Sequence, residues 1–192
     1  MSALSIPYLR SAGVCLVVAV GIVFALSDLR LEMHAGLLGF FEWLETTPFG
    51  VIGKTWGAAF AAVQALHLLS MALLGGAVLV ADGRLLGLAL REVPLMTVQE
   101  RCHSVFFWGL VVVVSTGIFM ACGVAVKVYY LPVFWYKMLA LTVGVFFVYA
   151  IRRPLLRHAQ SVSPWTLRAV AVASLMTWFS VAATGRWIGF SG

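Results

Sequence analysis

The membrane character of the chain is plainest in residues 55–71, TWGAAFAAVQALHLLSM. This uncharged run opens a predicted helix over residues 55–80, which is long enough to cross a bilayer because a crossing takes about 20 apolar residues. Gln64 and His67 lie near the middle of the run. An imidazole at that depth is costly unless it faces protein, water or a bound group, so His67 is a candidate functional residue.

The composition of the whole chain agrees with this interpretation. Of the 192 residues, 62% are hydrophobic and only 10% are charged, whereas a soluble domain is nearer half apolar. The net charge of +6 comes from basic residues in short segments between apolar runs, which is the distribution that membrane topology requires. We therefore expect an integral membrane protein in contact with the lipid bilayer, and no binding of nucleic acid.

Five apolar runs predict membrane-spanning helices. The predicted spans are residues 9–27, 55–80, 104–124, 134–151 and 167–185. The first run follows a short leader with one basic residue and lacks a small-residue cleavage site, so we predict a retained helix rather than a signal peptide.

Two connections are polar. Residues 28–54 combine charges with crowded aromatic and leucine side chains, which predicts an amphipathic helix in the interface plane that ends near residues 46–48. Residues 82–101 are predicted to be a polar loop with a short amphipathic turn. The expected fold is all-α: a single membrane domain over residues 1–192 with five transmembrane helices, the last four forming a four-helix bundle core, plus the short interfacial helix.

The distribution of basic residues predicts the orientation. Most of the 13 lysine and arginine residues fall on the side of the membrane that holds the N-terminus. The positive-inside rule then places the N-terminus in the cytoplasm and the C-terminus in the periplasm of a bacterial inner membrane.

Residues on the helix of His67 share a predicted face. Gln64, His67, Met71 and Gly75 recur at intervals of three or four, so they stack on one side of the helix, which we expect to face the bundle interior. Lys137 lies about one turn inside its span, and Arg186 closes the last span. We expect a site that is floored by His67 and Gln64 and rimmed by these two cations.

A haem b in a bundle needs an axial imidazole and usually a second ligand at the same depth. His103 is roughly 15–20 Å from the depth of His67, at ~1.5 Å per residue, which is too far for one iron. A second ligand would be Met176 or Met120, or would be absent. His67 has other interpretations: a hydrogen bond to a serine or threonine of a neighbouring helix, coordination of a metal such as copper with methionine, or proton transfer.

Five motifs carry a resemblance to known proteins. They are FEWLETTP at 41–48, ALHLL at 65–69, DGRLLG at 82–87, WYKMLAL at 135–141 and ATGRWI at 183–188. Over about residues 40–190 the chain resembles a family of bacterial inner-membrane proteins known as a domain of unknown function. More distantly, it is similar to copper-resistance D-type permeases and to haem-binding membrane protoporphyrinogen oxidases. This resemblance implies a four-helix core with b-type haem at His67 and with Lys137 as a functional cation.

The leading functional prediction is a b-type haem-binding inner-membrane protein or subunit that passes electrons between a periplasmic partner and quinone. Its expected cofactors are haem b and quinone, held by His67, Gln64, Met71, Met176, Lys137 and Arg186, with His67 as the metal ligand. Its expected partners are other membrane or periplasmic subunits. The sequence leaves open whether the chain is the redox subunit of an oxidoreductase, a copper or small-solute permease, or a non-catalytic subunit of a larger complex.

Overall fold

The computed structural model describes residues 29–191, with side chains from residue 35 onward. Within this part the chain forms helices and turns and no strand. The predicted first span, residues 9–27, lies outside the described residues.

The helices follow one another with short connections. They are α1 (Leu29–Thr46), α2 (Pro48–Thr55), α3 (Gly57–Leu86), α4 (Leu95–Gly123), α5 (Ala125–Tyr129), α6 (Pro132–Phe146), a π-helical turn (Phe147–Arg152), α7 (Arg153–Leu156), a 3-10 turn (Ala159–Ser161) and α8 (Pro164–Ile188).

Four helical stretches in the described residues are long and apolar enough to cross a membrane: α3, α4, α6 through α7 (Pro132–Leu156), and α8. Within the described residues they confirm the predicted all-helical, multi-pass membrane architecture. The helix α1 ends at Thr46, where the sequence predicted an end, and its position in the interface plane stays a prediction.

The helix ends follow from local sequence. The Thr47 hydroxyl accepts a hydrogen bond from the Gly50 amide at 3.2 Å and caps α2, and the Ser163 hydroxyl caps α8 in the same way through the Thr166 amide. A side-chain oxygen at this position satisfies an amide that has no partner inside the helix. At the other end of α3, Gly87 takes a left-handed conformation at φ 74°, which glycine adopts without steric cost.

The predicted polar loop over residues 82–101 is largely helical, which corrects the sequence-based prediction. The helix α3 continues to Leu86 and α4 begins at Leu95, so Asp82 and Gln99 both lie on helices. Hydropathy located the apolar centres of the spans but not their ends, because the polar residues at the ends are paired with one another inside the protein.

Residues Trp43–Gly192 form one compact unit, while α1 begins in another, Met1–Glu42. In the unit that begins at Trp43, α3 packs against α4, and α8 packs against both α3 and α6. Apolar side chains fill the centre, where Phe106 and Trp178 meet edge to face with ring centroids 5.0 Å apart. Since lipid is as apolar as these side chains, close packing rather than transfer from water holds such a centre together.

The antiparallel pairing of α3 and α4 defines two ends of this bundle. His67 faces Thr116 toward the end where α3 starts and α4 stops, and Ala81 faces Gln99 toward the opposite end. We call these the His67 end and the Asp82 end. At 1.5 Å per residue, His67 lies about 15 Å from the start of α3.

The helix α2 is fastened to the His67 end. A Cβ added to Gly53 would lie 2.9 Å from Cα of Gly123 on α4, so the two backbones touch. Glu45 pairs with Lys54, and its other oxygen accepts a hydrogen bond from the Val126 amide at 2.8 Å. Burial would raise the pKa of Glu45, but the bonds from Lys54 and Val126 outweigh it and hold that pKa below its ordinary value.

Candidate functional site

His67 is one of the buried polar side chains of α3, with 7% of its surface exposed. Its Nδ1 lies 2.8 Å from the hydroxyl oxygen of Thr116 on α4. Among the interpretations of His67, a hydrogen bond to a threonine of a neighbouring helix is therefore present in the structure.

The hydrogen bonds of Thr116 determine which nitrogen of His67 carries the proton. The Thr116 hydroxyl donates to the carbonyl of Val112 at 2.6 Å, with the Val113 carbonyl at 3.2 Å. A hydroxyl has one proton, so toward the imidazole it acts as an acceptor and Nδ1 donates. The imidazole also donates to the Val113 carbonyl, and with the proton on Nδ1 the lone pair of the neutral ring is on Nε2.

The imidazole also packs directly on the backbone of α4. A Cβ added to Gly117 would lie 3.4 Å from Cε1 of His67. The side chain is therefore held by a hydrogen bond on Nδ1 and by contact along Cε1, and its orientation is restricted.

Lys137 lies at the same end of the bundle. Its Nζ is 3.3 Å from the position that a Cβ on Gly185 would occupy, so the ammonium rests on the backbone of α8. It interacts electrostatically with His67, and within residues 35–191 it has neither a hydrogen-bond acceptor nor an anionic partner. The site thus combines a lone pair on an imidazole with an unpaired, half-buried cation.

The other predicted site residues are more exposed than His67. Gln64 is exposed, Met71 is half-buried and Met176 is 68% exposed. The Arg186 guanidinium is exposed and lies over the ring of Phe190, 4.3 Å from its centroid. Side chains three residues apart are offset by 60° around a helix. Gln64 therefore lies beyond the narrow face of α3 that His67 presents to α4. Our expectation that Gln64 floors an interior site differs from its observed placement.

A second polar cluster joins all four spans at the Asp82 end. Arg152 donates from Nη2 to Asp82 Oδ1 at 2.7 Å and to Gln99 Oε1 at 2.9 Å. Gln99 in turn donates to the Ala81 carbonyl at 2.8 Å. Asp82 is fully buried, as is Ser174 of α8, which lies beside its carboxylate. Each of the four spans contributes one polar side chain, so the cluster fixes their relative register.

The π-helical turn places Arg152 in this cluster. Pro154 lies two residues beyond Arg152 and has no amide proton to donate to the carbonyl four residues earlier, so the helix widens over Phe147–Arg152. Sequence reasoning assigned Asp82 and Arg152 to connections and missed the cluster. The sequence did contain a signal. Asp82 and Arg152 carry opposite charges at the ends of two apolar runs, and membrane proteins pair such charges.

A cavity of about 10 Å³ adjoins this cluster and is lined in part by Ser174, Trp178 and Arg152. Two buried atoms in this region, Asp82 Oδ2 and Trp178 Nε1, have no hydrogen-bond partner in the described part of the chain. The cavity has room for about one water molecule. His103 lines the same cavity and is therefore at the end opposite His67, as the depth argument predicted.

Among the side chains from residue 35 onward, no group of three or more histidine, cysteine, aspartate or glutamate residues is arranged to hold a metal ion.

Comparison with known proteins identifies one family. The profile of a family of unknown function, DUF6644, matches residues 40–191. Neither a curated protein nor a solved structure matches the chain.

Proposed function

We propose, from the premise that the chain belongs to the DUF6644 family of unknown function, that it is an electron-transfer protein or subunit of a bacterial inner membrane. In this proposal Nε2 of His67 binds a b-type haem, and the protein passes electrons between a periplasmic partner and quinone. The observation that carries the proposal is the hydrogen bond from Nδ1 of His67 to Thr116.

This hydrogen bond prepares the imidazole for ligation. A histidine that binds a metal usually donates its other ring N–H to a fixed acceptor, which sets the tautomer and the orientation of the ring. Thr116 acts as this acceptor because its own proton is donated to the Val112 carbonyl. The lone pair of Nε2 therefore needs no rearrangement of protons before it binds iron.

Lys137 supports an anionic or oxygen-bearing ligand near His67. An ammonium inside a bilayer is costly without a partner, and Lys137 has none among the described residues. A haem propionate or a quinone oxygen would remove this cost through a charge-assisted hydrogen bond. Arg186, near the end of α8, lies at the same end of the bundle and would extend the positive rim.

Haem binding at His67 would require a change in the packing around its ring. His67 lines neither the small cavity at the Asp82 end nor the groove between the start of α6 and the end of α8. The ring of His67 already packs against Gly117. A porphyrin at this depth therefore requires the helices to separate around the ring. Met176 is 68% exposed and His103 lies at the Asp82 end, so His67 would hold the group, with Met120 of α4 as the remaining candidate for a second ligand.

The absorption spectrum of the detergent-purified protein, oxidised and dithionite-reduced, tests the proposal. We expect a Soret band and a reduced α-band that are lost in His67→Ala. The matched control is His103→Ala, which removes an imidazole from the Asp82 end and should retain both bands. Absence of haem in the wild-type protein after expression with ample haem supply would contradict the proposal.

The same hydrogen bond favours a second function of another class, a non-catalytic membrane subunit. There the bond would join α3 to α4, and the face of Lys137 would pack against a larger complex. Co-purification from native membranes with a stable partner, without a haem spectrum, would favour this alternative.

A further inference from the structure

A groove of about 440 Å³ lies between the start of α6 and the end of α8, with Pro132, Tyr136, Thr184 and Trp187 among its lining residues. Two of these directly precede the residues of the contact between Lys137 and Gly185, since Tyr136 is followed by Lys137 and Thr184 by Gly185. The groove and this contact are thus formed by the same turns of the same two helices. Its volume is within the range of small-molecule sites, about 300–1,000 Å³.

The groove offers two unused hydrogen-bond donors. The Thr184 hydroxyl donates to the Ser180 carbonyl at 2.7 Å, and the Ser191 hydroxyl donates to the Trp187 carbonyl at 3.0 Å, so both protons are already engaged. The phenol of Tyr136 and the indole N–H of Trp187 form no hydrogen bond within the described part of the chain. The groove therefore suits a ligand that has two acceptors.

The charge and shape of the lining restrict the ligand further. The lining contains no charged side chain, and the nearby Arg186 guanidinium is stacked on Phe190. A phosphate or carboxylate would find no cation within the groove, which favours a neutral ligand. Tyr136 and Trp187 are 63% and 67% exposed and present aromatic surfaces, which suit a flat ring.

We propose that this groove binds the head group of a membrane quinone, with Tyr136 and Trp187 donating to its carbonyl oxygens. A quinone is neutral and planar, carries two acceptors and has an apolar tail that stays in lipid. This inference deepens the proposed function and rests on it for the choice of quinone as the electron partner.

Binding of a short-tail ubiquinone analogue to the full chain in nanodiscs tests the inference by isothermal titration calorimetry. We expect saturable binding that Tyr136→Phe and Trp187→Phe each weaken by about fivefold, because each removes one donor and leaves an aromatic ring in place. The matched controls are Tyr130→Phe and Trp165→Phe. Both side chains are more than half exposed, and neither lines the groove.

Three outcomes would overturn the inference: no saturable binding, equal weakening in the controls, or equal binding of a prenyl alcohol with the same tail, which would identify a groove for lipid chains. The titration is repeated with His67→Ala to separate this inference from haem ligation. Quinone binding that persists in His67→Ala would show that the groove does not depend on haem. Quinone binding by a wild-type protein that shows no haem spectrum would retain the groove and contradict the haem proposal. A haem spectrum without quinone binding would retain the haem proposal and contradict the groove as a quinone site.

Discussion

Nδ1 of His67 lies 2.8 Å from the hydroxyl oxygen of Thr116, a residue 49 positions further along the chain. The contact joins α3 to α4 inside the apolar part of the bundle, and it leaves the lone pair of the ring on Nε2. A buried imidazole whose Nδ1 donates to a fixed acceptor is the arrangement expected of a metal-binding histidine.

Thr116→Val should weaken haem binding without removing the ligand. Valine keeps the shape of threonine but cannot accept the Nδ1 proton, so the ring loses its fixed tautomer and orientation. Loss of such an outer partner typically costs 10–100-fold in metal affinity, which we expect as reduced haem occupancy per protein in the Soret band.

Ser115→Val is the control for this change. The Ser115 hydroxyl donates to the Val111 carbonyl of its own helix at 2.8 Å and is exposed. If both variants lose haem equally, the hydrogen bond to His67 has no role in ligation.

Lys137→Met should stabilise the ligand-free protein and weaken the binding of its ligand. Methionine has a similar length without the charge, and the half-buried ammonium has no partner among the described residues. The expected gain in unfolding free energy is about 1 kcal/mol, measured as a higher melting temperature in detergent. Lys127→Met, at an exposed position, should leave the melting temperature unchanged, and a lower melting temperature for Lys137→Met would show that the cation already has a partner.

Asp82→Leu should be strongly destabilising, and the double change Asp82→Leu with Arg152→Leu should be less so. Removing one partner of a buried ion pair leaves the other charge uncompensated, at a cost of about 3–5 kcal/mol, whereas an apolar pair carries no such charge. Thermal unfolding of the two single variants and the double variant measures this coupling.

Arg153→Leu serves as the matched control, because Arg153 is the exposed neighbour of Arg152 and should change stability little. Strictly additive losses for Asp82 and Arg152 would mean that the pair is not coupled.

Gly53→Ala should destabilise the protein by about 1–3 kcal/mol, as expected of overpacking. The new Cβ would lie 2.9 Å from Cα of Gly123, and backbone cannot rotate aside as a side chain can. Gly57→Ala meets nothing within 4 Å and should be neutral or stabilising, since alanine favours helix. Equal melting temperatures for the two variants would contradict the close contact of α2 with α4.

Glu45 should make stability depend on pH in the acidic range. Burial acts to raise its pKa, but the Lys54 and Val126 hydrogen bonds lower it overall. The ionised carboxylate is therefore favoured more in the folded state than in the unfolded state. Its contribution is complete above the ordinary value of 4.5 and is lost as the pH falls through the lower folded pKa. We expect about 1 kcal/mol, because the exposure of Lys54 screens the pair.

The measurement for Glu45 is the melting temperature of wild-type and Glu45→Gln protein from pH 7 to pH 3. The difference between them should be constant down to about pH 4.5 and should shrink below it. Glu92→Gln, at an exposed position, should show no such change, and a difference that grows toward low pH would contradict the sign of the shift.

Much of the membrane architecture was predictable from residue types alone. Long uncharged runs such as residues 55–80 must be helices in a bilayer, because lipid leaves no other way to satisfy the backbone. The predicted spans over residues 55–185 correspond to the four observed ones, although each helix extends further than its apolar run. His67 was identifiable because an ionisable residue at mid-depth stands out against its neighbours.

The partners of these residues were decided only by the tertiary structure. Sequence spacing places Gln64, His67 and Met71 on neighbouring parts of one helix, but it does not state which few degrees of that surface meet another helix. It therefore could not show that His67 faces Thr116 while Gln64 is exposed. Asp82, Gln99, Arg152 and Ser174 come from four separate spans, and their meeting depends on how far each helix extends and on the π-helical turn before Pro154. Hydrophobicity is a property that residues carry individually, so the sequence determined the membrane helices. Hydrogen bonds and ion pairs depend on distance and direction between helices, so only the packed bundle determined the site.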